Sequence, residues 1–288
     1  MAFEIPAHFH EEFTTNVELL LQETMPVMLE GAMPKMYSGK SAQVVKQFGE
    51  VEFAEKTGRH SDTVWSDIQH KQRWIFPKDY TLALPVDEED ELRMLNSPQS
   101  SYAMAMRAAW ARKINAVARD ALLGTAKTGE NGGTSTAFDT ANQQIASGSV
   151  GLTITKLRSA REILRAAHVD PNDPLYIAVT AKQVTDLLET TEVTDADYNT
   201  VKTLVHGDID TFLGFKFIHL EELGVDSSSD RRCIAWAKSG LAFGQWNGLT
   251  TRIDERADKD YTTQVHMKGT IGATRTQEEK VVEILCSE

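Results

Sequence analysis

The sequence is poor in several things at once, and each shortage excludes a class of protein. Only two cysteines occur in 288 residues, Cys233 and Cys286, far apart and without a CxxC spacing. That excludes a disulfide scaffold and a zinc ribbon, and leaves two small buried hydrophobes or inert thiols. Positive charge is in deficit: 30 lysines and arginines face 42 aspartates and glutamates, a formal net charge of −12. A free-standing DNA-binding module needs a basic face to neutralise phosphates, so this balance argues against one. No stretch reaches the ~18 consecutive apolar residues of a membrane-spanning helix. The opening Met-Ala-Phe-Glu-Ile-Pro carries neither the basic nor the apolar region of a secretory signal. The expectation is a protein made and kept in a cytosol-like compartment.

Catalytic signatures are also missing. GxGxxG, HExxH, GxSxG and an EF-hand loop do not occur, and Gly39-Lys40-Ser41 lacks the earlier glycine of a phosphate loop because position 34 is proline. His8 and His10 form an HxH pair with only Glu11 and Glu12 nearby, which fits a solvated arm better than a metal site. The acidic run Asp87-Glu-Glu-Asp-Glu91 could serve acid–base or metal chemistry. Its simpler role is to place negative charge near a helix N-terminus, where the helix dipole favours it. No enzyme, cofactor or metal is expected.

What is present is an ordinary globular composition, 41% apolar and 25% charged. From Phe9 to Gly31 apolar residues recur at helical spacing until Pro26 and Pro34 interrupt. This short helix and extended tail have too little apolar surface to fold alone and read as an arm that finishes its contacts elsewhere. From Val44 to Val86 the alternation turns to period two: Val51 and Phe53, then Trp74, Phe76, Tyr80, Leu82 and Leu84. A polar stretch with Gly58 separates the two runs, predicting an extended hairpin. Its exposed edges need partners, unless it is merely a solvated hairpin of a compact domain.

The strongest helical pattern covers about Tyr102 to Leu123, with Met106, Trp110, Ile114, Val117 and Ala121 on one stripe, Ser100 or Ser101 as the cap and Gly124 as the stop. Residues 125–151, rich in Gly, Thr, Ser and Asn, form a loop or hairpin region and the best domain boundary. A second helix carries Leu157, Ala160, Leu164 and Ala167; a buried strand, Tyr176–Thr180, leads to a third helix capped by Thr180. Strands follow at Phe212–Ile218, Cys233–Ala237, Leu249–Asp254, Tyr261–Lys268 and Lys280–Cys286, so the fold class is α+β.

These segments, taken in order, resemble a known family. Residues 80–126 (YTLALPVDEEDELRMLNSPQSSYAMAMRAAWARKINAVARDALLGTA), 173–218 (beginning DPLYIAVTAKQ), 233–240 (CIAWAKSG) and 270–284 (TIGATRTQEEKVVEI) are similar to major capsid proteins of tailed bacteriophages. The resemblance covers most of the chain from about residue 50 onward. It implies the Hong Kong 97-type capsid fold: an N-terminal arm at 1–45, an extended loop at 46–86, a peripheral domain with its spine helix at 87–149, an axial domain at 150–235, and return strands to both domains at 236–288. It implies a virion protein, assembled in the bacterial cytoplasm, that self-assembles through hexamers and pentamers into an icosahedral shell around double-stranded DNA.

The implied partners are other copies of the chain and the portal protein, with scaffolding and cement proteins as further candidates; the genome is enclosed without sequence-specific binding, and no membrane is involved. Arg59, Lys71 and Arg73 alternate with Asp62 and Asp67 on the hairpin, so charge pairing between subunits could set register, with Trp65 and Trp74 as anchors. The alternative for Trp74 is core within its own subunit. The short arm implies neither a cleaved pro-region nor Lys–Asn cross-links. An encapsulin-like compartment is the competing shell, and a hydrolase using residues 87–91 the competing enzyme.

Overall fold

The computed structural model describes residues 25–49, 70–86, 98–189, 211–259 and 261–288, together with positions 51, 53, 55, 58, 65 and 68. The predicted helix preceding Pro26, the HxH pair and the acidic run lie outside the described residues.

One half of the molecule is built on a six-stranded mixed sheet. Its strands are β7 (Gln144–Ile145), β8 (Leu175–Val179), β9 (Thr211–Phe212), β10 (Phe215–His219), β11 (Arg231–Ala237) and β14 (Val281–Cys286), in the order β7-β14-β11-β8-β10-β9. The central β8, Leu-Tyr-Ile-Ala-Val, is buried at every position. A continuous apolar run is what a strand covered on both faces requires. Two helices cover the sheet, α2 (Ile154–Ala166) and α3 (Ala181–Glu189). Thr153 caps α2 by accepting from the Lys156 amide. At α3 the Thr180 amide donates to Gln183 Oε1 at 3.0 Å, half of a capping box, so Thr180 stands where the sequence places it.

The other half joins α1 (Pro98–Leu123) to a four-stranded sheet ordered β1-β12-β13-β4, from Met33–Met36, Leu241–Arg256, Thr262–Arg275 and Lys78–Val86. A third, smaller sheet contains β2 (Ala42–Phe48), β3 (His70–Ile75), β5 (Ala126–Thr128) and β6 (Thr134–Thr136).

Four local expectations need correction. Helix α1 opens at Pro98, ahead of Ser100 and Ser101, so neither serine caps it; proline suits a first helical turn. Of the predicted stripe Met106 and Ile114 are buried, while Trp110, Val117 and Ala121 are only half-buried and Ala111, Asn115, Ala118 and Leu122 lie deeper. The buried face is wider than the apolar stripe and includes a buried asparagine. The run Trp74–Leu84 is not one strand: it breaks at Phe76–Pro77, β3 joining the hairpin sheet and β4 pairing with β13. The bend crosses β13 at Gly272, where an added Cβ would lie 2.6 Å from Ile75 and 2.7 Å from the Phe76 carbonyl. Finally, Phe212–Ile218 is a hairpin, turning at Leu213 and Gly214, both with positive φ as a tight primed turn demands.

Candidate assembly surface

The segment after Pro26 is fastened to its own subunit. Met28 is fully buried, and its amide donates to Asn115 Oδ1 at 3.2 Å while Asn115 Nδ2 donates to the Met25 carbonyl. The Trp236 indole donates to the Gly31 carbonyl at 2.7 Å, and an added Cβ at Gly31 would meet the same ring at 2.7 Å. Strand β1 then adds in parallel to the edge of β12, from Met33 opposite Ala242 to Met36 opposite Gln245. The described part of the arm therefore finishes its contacts at home, against the expectation that it finishes them elsewhere. Backbone hydrogen bonds and one buried methionine suffice where apolar area is scarce.

Among the described residues the hairpin sheet is anchored at its stem. Arg73 is buried; its Nε donates to the Thr276 carbonyl at 2.9 Å and its guanidinium pairs with Glu278. Glu278 also receives Arg275, which in turn donates to the carbonyls of Leu122 and Gly124 at the end of α1. One carboxylate thus joins hairpin stem, spine and sheet. Gln47 Nε2 donates to the same Thr276 carbonyl at 2.6 Å, and the Trp74 indole to the Gly129 carbonyl at 2.9 Å. Beyond the stem the described aromatic side chains have almost no cover: Phe53 and Trp65 are exposed at 106% and 92%, and Val51 and Ile68 are partly exposed.

The sequence-derived contact residues are therefore dispersed. Trp65 stands free on the hairpin, Lys71 is exposed on β3, Arg73 is committed inside the subunit, and Trp74 is half-buried against Gly129. Arg59, Asp62 and Asp67 lie outside the described residues. Periodicity overlooked the partner of Arg73, because Glu278 is 205 positions away.

A second surface feature lies on the other half. Tyr80 and Leu82 from β4, Met106 and Trp110 from α1, and Leu249 and Met267 from the sheet line an apolar groove of about 210 Å3. Tyr80 and Trp110 meet edge to face with centroids 6.4 Å apart, and the Lys113 ammonium sits 4.6 Å from the Tyr80 ring.

Nothing among the described residues is arranged for catalysis. No group of three His, Cys, Asp or Glu side chains is placed to hold a metal there. No described helix is long and apolar enough to cross a membrane. Cys233 and Cys286 are buried neighbours, and the hydrogen bond that Cys233 donates to Cys286, together with burial, pushes the Cys233 thiol well up, while the same bond lowers that of Cys286. Lys156 is buried beside them with its ammonium donating to the carbonyls of Val150, Gly151 and Leu285; burial lowers its pKa. A lysine spent on three carbonyls is a staple for the C-terminal strand.

The phage capsid protein family profile matches residues 5–288. The chain belongs to this family.

The capsid protein is thus a structural component of the virion and not a catalyst. Solved structures agree on the fold, which is the Hong Kong 97 type expected from the resemblance. The capsid of the cyanophage P-SCSP1u is 16% identical, with a TM-score of 0.73 over 97% of this chain and 93% of that one. The capsid of Ralstonia phage GP4 is 10% identical, with a TM-score of 0.71 over 99% and 97%. A Mycobacterium phage Che8 structure is 17% identical, with a TM-score of 0.67 over 98% of both chains. Among curated proteins none matches.

Proposed function

We propose that the chain is the major capsid protein of a tailed bacteriophage, and that copies of it close into an icosahedral shell of hexamers and pentamers around double-stranded DNA. The observation that carries this is a hairpin, locked to the body at Arg73 and Trp74, whose aromatic residues Phe53 and Trp65 are all but fully exposed. Exposed aromatics on an anchored hairpin are covered by a neighbour, and a contact between unlike patches of identical chains propagates into rings and shells.

In this reading residues 46–76 are the loop reaching over the adjacent subunit, with Arg59, Asp62, Trp65, Asp67 and Lys71 facing it. Arg73 and Trp74 hold the stem. The half with α1 and the four-stranded sheet is the peripheral domain, and the six-stranded half is the axial domain. Portal protein joins the shell at one vertex, and scaffolding or cement proteins assist. The excess of carboxylates keeps the wall from gripping the packaged genome.

Negative-stain electron microscopy of the protein expressed alone, beside light scattering, tests the reading. Closed shells or rings of five and six are the expected result. A small, closed dimer that never grows would overturn it.

A further inference from the structure

Two buried guanidinium groups share one carboxylate at the foot of the hairpin. Arg73 and Arg275 are both buried, and both pair with Glu278. That leaves one surplus positive charge screened from water, which is unfavourable until a counter-charge joins it. The donors show the same shortfall, since a guanidinium carries N–H groups on three nitrogens. Arg73 spends Nε on the Thr276 carbonyl and Nη2 on Glu278, but its buried Nη1 has no acceptor among the described residues. Arg275 spends Nη1 on two carbonyls and Nη2 on Glu278, and its buried Nε is left over in the same way. Burial lowers the Arg275 pKa; Glu278 opposes that shift and the charge on Arg73 adds to it.

Arg73 lines a polar cleft of about 660 Å3 between the hairpin stem and the six-stranded half, within the ~300–1,000 Å3 of small-ligand sites. Three further basic side chains reach it from separate segments: Lys71 on β3, His168 after α2, and Lys280 just ahead of β14. Carboxylates line it too, and most of them are engaged. Glu278 is held between the two guanidiniums, Asp173 accepts from the Ser239 amide at 3.2 Å, and Asp170 accepts from the Asn172 amide at 2.9 Å. Glu279 is exposed. The cleft therefore holds buried donors in want of an acceptor, with lysines on two sides.

We propose that this cleft binds a small oxyanion of the phosphate class, held by Arg73 at its floor and by Lys71 and Lys280 at its sides. Such an anion only accepts hydrogen bonds, and it suits the fork of donors that a guanidinium presents. The Arg73 side chain is 6% exposed, too deep for the backbone of a DNA duplex to reach, so the ligand is a small, free one. Bound there, it supplies the missing negative charge and ties the stem, through Lys71 and Arg73, to the segment that leads into β14. The site lies within one subunit and stands whether or not shells form.

The test follows the thermal unfolding midpoint of the full chain during titration with inorganic phosphate, against sodium chloride of equal ionic strength. A ligand that binds only the folded chain raises this midpoint. The expected result is a rise over the chloride control that disappears in Lys71→Ala/Lys280→Ala. Glu279→Gln, which removes a repelling carboxylate, should enlarge the rise. Phosphate also stabilises proteins generally through exclusion from their surface, so an equal rise in the double-alanine chain overturns the site. No rise in the native chain overturns it as well. Should the double variant fail to fold, Lys71→Ala alone, at an exposed position on β3, carries the same expectation.

Discussion

The six-stranded half and the β2–β3 hairpin are made from similar residues and solve opposite problems. In the first, β8, β11 and β14 bury nearly every side chain, and Tyr176 stacks on the fully buried Trp236 at 6.0 Å. In the hairpin, Phe53 and Trp65 are as hydrophobic yet remain in solvent. The first region completes itself, and the second is complete only in an assembly. The stability of the subunit and the stability of the shell therefore reside in different residues, and substitution can separate them.

The sharpest way to break this contrast is Trp236→Ala. It empties the centre of the self-contained half and frees the Gly31 carbonyl; loss of a buried tryptophan costs about 3–5 kcal/mol, read by chemical denaturation of the subunit. Gly31→Ala attacks the same contact from the arm. Its Cβ would lie 2.7 Å from the Trp236 ring, and overpacking of this kind costs ~1–3 kcal/mol unless the arm lifts away. A protease digest separates these outcomes, since a lifted arm is cut early near residues 25–37.

A smaller effect tests the electrostatic closure of the same half. Arg231 pairs with Glu288, holding that carboxyl below the usual glutamate range, with Gln183 and Thr180 adding hydrogen bonds. A carboxylate depressed in the folded state contributes stability above its ordinary pKa and loses it as pH falls through the folded one. Denaturation midpoints should therefore decline on acidification below the ordinary glutamate range. Glu288→Gln should flatten that decline and leave neutral-pH stability slightly reduced.

The smallest expected change in subunit stability is the most informative. Trp65→Ala should alter it by less than about 0.5 kcal/mol, as for exposed positions generally, while assembly by electron microscopy falls sharply. A variant that lost stability and assembly together would erase the distinction between the two regions.

Much of the fold was legible because it depends on local patterns. Alanine-rich periodicity marks α1, the unbroken Leu175–Val179 run marks a doubly covered strand, and Thr180 marks a helix start. The misreadings share one cause. Asn115 stands outside the predicted apolar stripe, yet it is buried, with the backbone at Met25 and Met28 satisfying it. Arg73 reads as a hairpin charge for a neighbour, but Glu278 takes it inside the subunit. Trp65, with no such distant partner among the described residues, could be placed on the surface by reasoning from its polar neighbours alone.

The sequence by itself determined the α+β class, the described helices, the presence of a hairpin and, through ordered resemblance along most of the chain, membership of a capsid family. Only the tertiary structure decided where the hairpin ends at Phe76–Pro77, that Arg73 and Trp74 belong to its stem, that the arm from Met25 to Tyr37 docks at home, and that β4 and α1 enclose a groove. Helical and strand periodicities report on neighbours a few positions away, whereas pairing across 87 to 205 positions is set by which buried donors and acceptors can satisfy one another.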